Sequence, residues 1–294
     1  MSGVSSYTVV SFHAHPDDEA LLVSGTLARL AAEGHRVVLV SATAGEGGLA
    51  SASYGTADEL AAHRRAELQR SADAIGAARV EFLGYGDSGL DGTAVPPHGL
   101  QAFARADVDE AAQRLAAILR EEGADVLTSY DPSGGYGHPD HVQVHHVAAR
   151  AAELAGTPVV LEATVDQDLL RRAVRLAALV YRFPPEFDRA AFERAYAPRA
   201  VLTHKVDVRA YTDRKRASMA AHASQATADT GDRTLAALLR LPRPLYRRVL
   251  GREWFVERGR PAGGPLLDDV LTTLRQGRAG TAGADAAGGV PPGA

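Results

Sequence analysis

HAHPDDEALLVSG at 13–25 crowds two histidines and three acids between an apolar run, YTVVSF at 7–12, and the start of helical text. The run is β-branched, aromatic and apolar, which reads as a short buried strand. Pro16 suits a helix entry, and apolar residues recur at helical spacing from Ala20 to Glu33 until Gly34 stops them. A nucleotide-binding turn would carry glycines here, yet none occurs between Phe12 and Gly25. The turn is built to present imidazole and carboxylate, not to cradle a pyrophosphate.

Strand-then-helix text repeats outward from this point. RVVLVSA at 36–42 reads as a second buried strand, RVEFL at 79–83 and DVLTS at 125–129 as a third and a fourth, and a fifth begins at 158–161. Helical spacing covers 58–75, 106–122 and 139–154, with Gly76 and Gly123 closing the first two. This alternation predicts a three-layer, Rossmann-like α/β fold, a mostly parallel sheet with helices on both faces. Its core spans 7–163. Beyond Asp166 the pattern changes to LLRRAVRLAALVYRF, PPEF, a strand at 200–206 and a helix at 211–225. A Leu/Arg-rich helical stretch at 235–250 and a late strand at 253–256 follow. We read 164–275 as a helical and strand extension of one domain, 1–275, and the Gly/Ala/Pro text at 276–294 as a disordered tail.

Composition narrows the function. The chain has 294 residues, 46% of them hydrophobic, a formal charge of -4 and no cysteine. Thiolate metal sites, disulfides and cysteine nucleophiles are therefore excluded. No basic face predicts a nucleic-acid partner. The start MSGVSSYTVV is unlike a signal peptide, and no run approaches the ~18 apolar residues of a membrane span. The expectation is a cytoplasmic protein with a small-molecule partner.

In an open parallel sheet, ligands bind beyond the carboxyl ends of the strands. His15 and Asp18 lie three apart across Pro16, so both can converge on one point while Asp17 aims elsewhere. One nitrogen and one oxygen ligand begin a catalytic zinc site, which needs three protein ligands and an open position. Acids in a first helical turn also serve as ordinary complements to the helix dipole, which leaves capping open for this cluster alone. The second cluster, YDPSGGYGHPDHVQVHH at 130–146, repeats the arrangement at another strand end. His141, at the loop–helix junction, supplies the third ligand. His145, four residues on, competes for that place and reads better as a packed histidine. Iron(II) suits the same two-histidine, one-carboxylate set.

AHPDDE at 14–19, TAGEGG at 43–48, LGYGDSG at 83–89 and GHPDH at 137–141 together resemble the LmbE-like or PIG-L family of zinc-dependent N-deacetylases. A looser match runs through HKVDVRAYTDRKRASMAAHASQ at 204–225. The resemblance implies zinc held by His15, Asp18 and His141. It implies Asp17 as general base and His138 as general acid, with Asp140 favouring its imidazolium form. Tyr136 would lie near the oxyanion, and Arg64 and Asp87 would touch the sugar. Leu90 stands where the family often has methionine, so that pocket wall differs.

Glu46, at the same sheet edge, either helps shape the pocket or belongs to a plain turn. His222 either closes the pocket or ends a helix in the ordinary way. The implied reaction is removal of an N-acyl group, most simply acetyl, from an amino-sugar conjugate by metal-activated water. A close variant is an amidase acting on a larger, mycothiol-type thiol conjugate. A non-catalytic metal- or sugar-binding protein is a different class, and the presence of Asp17 and His138 weighs against it. His13 and Glu19 carry no assignment. Trp254 reads as core or interface. The 235–250 segment either covers the pocket or forms an interface, which leaves a homo-oligomer open.

Overall fold

A computed structural model describes residues 6–47, 54–179, 194–226 and 234–277. One sheet holds β1 (Thr8–His13), β2 (Arg36–Thr43), β3 (Arg79–Tyr85), β4 (Val126–Tyr130), β5 (Val159–Thr164), β6 (His204–Asp207) and β7 (Arg252–Glu257). Their order is β3-β2-β1-β4-β5-β7-β6. The first five pair in parallel, and β7 runs antiparallel to both β5 and β6. The α/β expectation is met, and the late strand at 253–256 is β7.

Side-chain alternation along β1 feeds two cores. Val9 packs with Leu27, Leu68 and Ile75 on one face. Val10 and Phe12 pack with Leu115, Leu119, Val144 and Val147 on the other. Burial on both faces explains why these strands read as continuous apolar runs. The helices are α1 (Asp18–Leu22), α2 (Ser24–Ala32), α3 (Ala57–Ile75), α4 (Val108–Glu122), a single turn α5 (Gly134–Gly137), α6 (Pro139–Ala155), α7 (Gln167–Ala177) and α8 (Thr212–Ala221). Thr56 and Glu59 form a reciprocal capping box at the start of α3, and Asp107 caps α4. No helix among the described residues is long and apolar enough to cross a membrane.

Several boundaries differ from expectation. The helix read over 20–33 is broken at Val23, where φ is -134°. Distant groups satisfy the broken turn. Glu253 accepts the Gly25 and Thr26 N–H groups at 2.9 and 2.7 Å, and Lys215 Nζ donates to Leu21 O at 2.7 Å. Gly25 allows this approach, because a Cβ there would sit 2.7 Å from Val208 and 2.9 Å from Glu253. The strand expected at 200–206 starts only at His204, after a 3-10 turn at Arg199–Val201. The helix expected over 211–225 ends at Ala221. The 235–250 stretch is two helices, α9 (Ala223–Ala226) being followed by α10 (Thr234–Leu239) and α11 (Arg243–Leu250), with Pro242 at the break. Tyr246 of α11 packs on Ala20 and Met219, which docks this segment behind α1. Expectations for 180–193 and for the tail from 278 lie outside the described residues.

Lys215 and Glu253 form an ion pair at 2.5 Å with both side chains 1% exposed. Removing one partner of a buried pair strands the other charge, at a cost of about 3–5 kcal/mol. Lys215→Met is expected to lose that much in a denaturant titration. A midpoint equal to that of the unaltered protein would show that this joint does not hold the extension to the core.

Candidate active site

The chain leaves β1 toward β2 and returns to β4 on the other side, so β1 and β4 flank the point where strand order reverses. The turn after β1 carries His15 and Asp17, with Asp18 opening α1, and the segment after β4 carries Tyr136 in α5, His138, and His141 in the first turn of α6. Two clusters more than a hundred residues apart therefore face one crevice.

His15, Asp18 and His141 form a group whose ligand atoms lie within 4.8 Å of one another. His15 Nδ1 is 3.4 Å from Asp18 Oδ2, and His141 Nε2 is 3.3 Å from Asp18 Oδ1. His141 is 3% exposed, and its Nε2 is buried with no hydrogen-bond partner. A buried, orphaned imidazole nitrogen beside a carboxylate and a second imidazole is what a divalent cation would satisfy. Burial opposes the charged form of His15, but Asp87, Asp140 and Asp18 hold it well above the ordinary histidine value. Burial likewise opposes ionised Asp18, yet His141 and His15 hold its carboxyl well below the usual range. The trio fits a metal in charge and in donor type.

A second group shares His15. Its other nitrogen, Nε2, lies 3.1 Å from Asp140 Oδ2 and 3.6 Å from Asp87 Oδ1. With His138 these make a further set of metal-competent atoms, and Asp140 Oδ1 is also unpartnered. Most of this set is already engaged. Asp140 Oδ2 accepts from Ser88 N–H, Asp87 Oδ1 from Gly89 N–H, and His138 Nδ1 from Asp140 N–H. The Asp140 contact orients His15, as a carboxylate behind a metal-binding histidine does.

This corrects one expectation. Asp140 touches His138 through its backbone, and its carboxylate engages His15 instead. Burial, then His15 and His141, push His138 down to about 4, against the pull of Asp140. Asp140 does pull His138 toward the imidazolium form, as expected, but without a side-chain bond to it, and burial with His15 and His141 outweighs that pull.

Asp17 stands apart from both groups. Its φ is 122°, a conformation L residues rarely hold. Burial raises its carboxyl to about 6, against the pull of Arg64. The side chain is still 21% exposed, so a substrate can reach it. Two other residues read as sugar or pocket contacts prove to be buried supports. Arg64, 2% exposed, donates to Gly45 O and Pro16 O and lies 3.4 Å from Asp17 Oδ1. His222, fully buried, places Nε2 2.6 Å from Glu19 Oε1 and forms no pocket wall.

Asp87 stays beside His15, 4% exposed. Glu46 has a turn-shaping job, since its Oε1 accepts the Asp87 N–H at 3.0 Å. Tyr136 is 54% exposed with its ring centroid 5.0 Å from that of His141, so it lines the open side. The loop bearing it needs glycine. Gly134 and Gly135 have φ of 63° and 69°, and a Cβ on Gly134 would sit 2.7 Å from Val142 N. Asp131 organises the same loop and was missed. Its Oδ1 accepts from Ser133 N, Ser133 Oγ and Gly135 N, while Thr164 Oγ1 donates to Oδ2. The signal was present as D-P-S-G, the sequence of a side-chain-capped turn. His13 bonds Ser11 and Tyr130, so it is structural, and His145 bonds Tyr130 O, outside the metal-competent groups.

A family model described as PIG-L, GlcNAc-PI de-N-acetylase, matches residues 10–152. The chain is 37% identical over 273 residues to the 1D-myo-inositol 2-acetamido-2-deoxy-alpha-D-glucopyranoside deacetylase of Geodermatophilus obscurus, covering 83% of this chain and 89% of that one. The enzyme of the same name from Acidothermus cellulolyticus is 36% identical over 292 residues, covering 92% and 97%. Among solved structures, N,N'-diacetylchitobiose deacetylase from Pyrococcus horikoshii superposes with a TM-score of 0.54 at 22% identity, covering 86% of this chain and 84% of that one. The last likeness shows the fold.

Proposed function

Because this chain belongs to the PIG-L family of de-N-acetylases and is a hydrolase of amide C–N bonds, we propose that it removes the acetyl group from an N-acetylglucosaminyl-inositol-type conjugate. The observation that carries the site assignment is the orphaned Nε2 of His141 facing Asp18 and His15. We assign these three residues as zinc ligands. When bound, such an ion lowers the pKa of its water to about 7 and polarises the acyl oxygen.

The chain's own groups do the rest. Asp17, half-buried beside the trio yet in neither metal-competent group, takes the proton of the attacking water. Tyr136 offers its hydroxyl to the developing oxyanion from the open side. His138 has its Nδ1 occupied by Asp140 N–H, which leaves Nε2 to donate toward the leaving nitrogen. Asp17 then returns its proton to the amine. Asp87 and Glu46 shape the floor beyond His15.

Zinc-loaded protein is expected to release acetate and free amine in equal amounts from 1D-myo-inositol 2-acetamido-2-deoxy-α-D-glucopyranoside. Turnover of a mycothiol-type amide with none of this glycoside would move the assignment to the amidase variant. Turnover of neither would overturn the proposal.

A further inference from the structure

Both ends of one peptide unit, Pro16–Asp17, are held by buried charged side chains. Its carbonyl accepts from Arg64 Nη2 at 2.6 Å. Its amide, Asp17 N–H, donates to Glu19 Oε2 at 3.0 Å. Each holder is anchored in turn. Arg64 Nη1 donates to Gly45 O at 2.7 Å. Glu19 Oε1 accepts from Ser71 Oγ and sits against His222 Nε2, both at 2.6 Å. Glu19 and His222 are wholly excluded from solvent, and they lie 203 residues apart in the chain. Burial opposes both charges, yet each group pulls the other toward its charged form, Glu19 below and His222 above its ordinary value.

The unit so held carries Asp17, one of three described residues other than glycine with positive φ. Such a conformation persists only where the surroundings over-determine it. Charge-assisted hydrogen bonds are about twice as strong as neutral ones, and here one acts at each end of the same peptide. Neither Glu19 nor His222 belongs to a metal-competent group. What they fix is the direction of the Asp17 side chain.

We propose that Glu19 and His222, opposed by Arg64 across the Pro16–Asp17 peptide, are positioning residues that aim the Asp17 carboxylate at the reacting water. This rests on the reading of Asp17 as the base. It also gives the C-terminal extension a part in the chemistry, since His222 follows directly on α8.

The test is a double-mutant cycle on zinc-loaded protein. Glu19→Gln and His222→Gln are each expected to lower kcat by about 10- to 100-fold, the usual cost of losing an outer-shell partner. KM and zinc stoichiometry should hold. In an Asp17→Ala background the same substitutions should cost nothing further, because the group they aim is gone. Additive losses in that background, or loss of zinc, would overturn the clamp while leaving Asp17 as base. Full turnover by Asp17→Ala alone would overturn the base and the clamp together. Should Glu19→Gln fold poorly, His222→Gln carries the same comparison, since it loosens the carboxylate that holds the Asp17 amide.

Discussion

His141→Ala is expected to purify with less than one zinc per chain and to lose turnover in step with the metal. The site offers two imidazoles and one carboxylate, and a catalytic zinc needs all three to hold it while a fourth position stays open. A bound Lewis acid contributes several kcal/mol to the transition state, and each ~1.4 kcal/mol is tenfold in rate. The expected loss is therefore about 10³-fold or more. His145→Ala is the control, because its ring bonds Tyr130 O and lies in neither group. It should keep metal and most activity. Metal retained by His141→Ala and lost by His145→Ala would exchange their roles.

Asp17→Ala should separate metal from turnover in the opposite way. Asp17 is next to Asp18 in sequence but belongs to neither metal-competent group, and its backbone has positive φ. Zinc stoichiometry is expected to stay at one while kcat falls by about 10²–10⁴-fold, the range for a lost general base. A base works when ionised, so activity should rise with pH through the Asp17 pKa. Burial places that carboxyl at about 6 in the metal-free protein, and a nearby cation would move it lower. The acid limb of kcat/KM should thus fall at or below pH 6, and it should vanish in the variant. His138→Gln, which keeps an N–H donor, is expected to cost less than Asp17→Ala. A larger loss at His138 would restore it as the principal proton-transfer group.

The parts of this molecule that could be read from sequence are those governed by local rules. Strands β1, β2, β4 and β5 announced themselves as apolar runs because both their faces are buried, while β3, at the sheet edge, is mostly half-buried. HPDDE and HPDH were legible because each sits where a strand ends and a Pro-led helix begins, and parallel topology brings such ends together. What escaped depends on contacts far apart in the chain. The break at Val23 is stabilised by Glu253 and Lys215, which leave no local trace near residue 23. Glu19 meets His222 across 203 residues, so one had no assignment and the other was read as closing the pocket or ending a helix, the second of which its place after α8 matches. Arg64 resembled a substrate contact by position, but it is spent on two backbone carbonyls below the surface. Asp140 lies two residues from His138, yet its carboxylate reaches His15, 125 residues away, because the β1 and β4 loops share one crevice.

Anomalous scattering at the zinc edge from crystals of the zinc-loaded protein tests the metal assignment most directly. The expected result is one peak within about 2.0–2.2 Å of a His15 nitrogen, an Asp18 oxygen and His141 Nε2. A peak held instead by Asp87, His138 and Asp140 would contradict it.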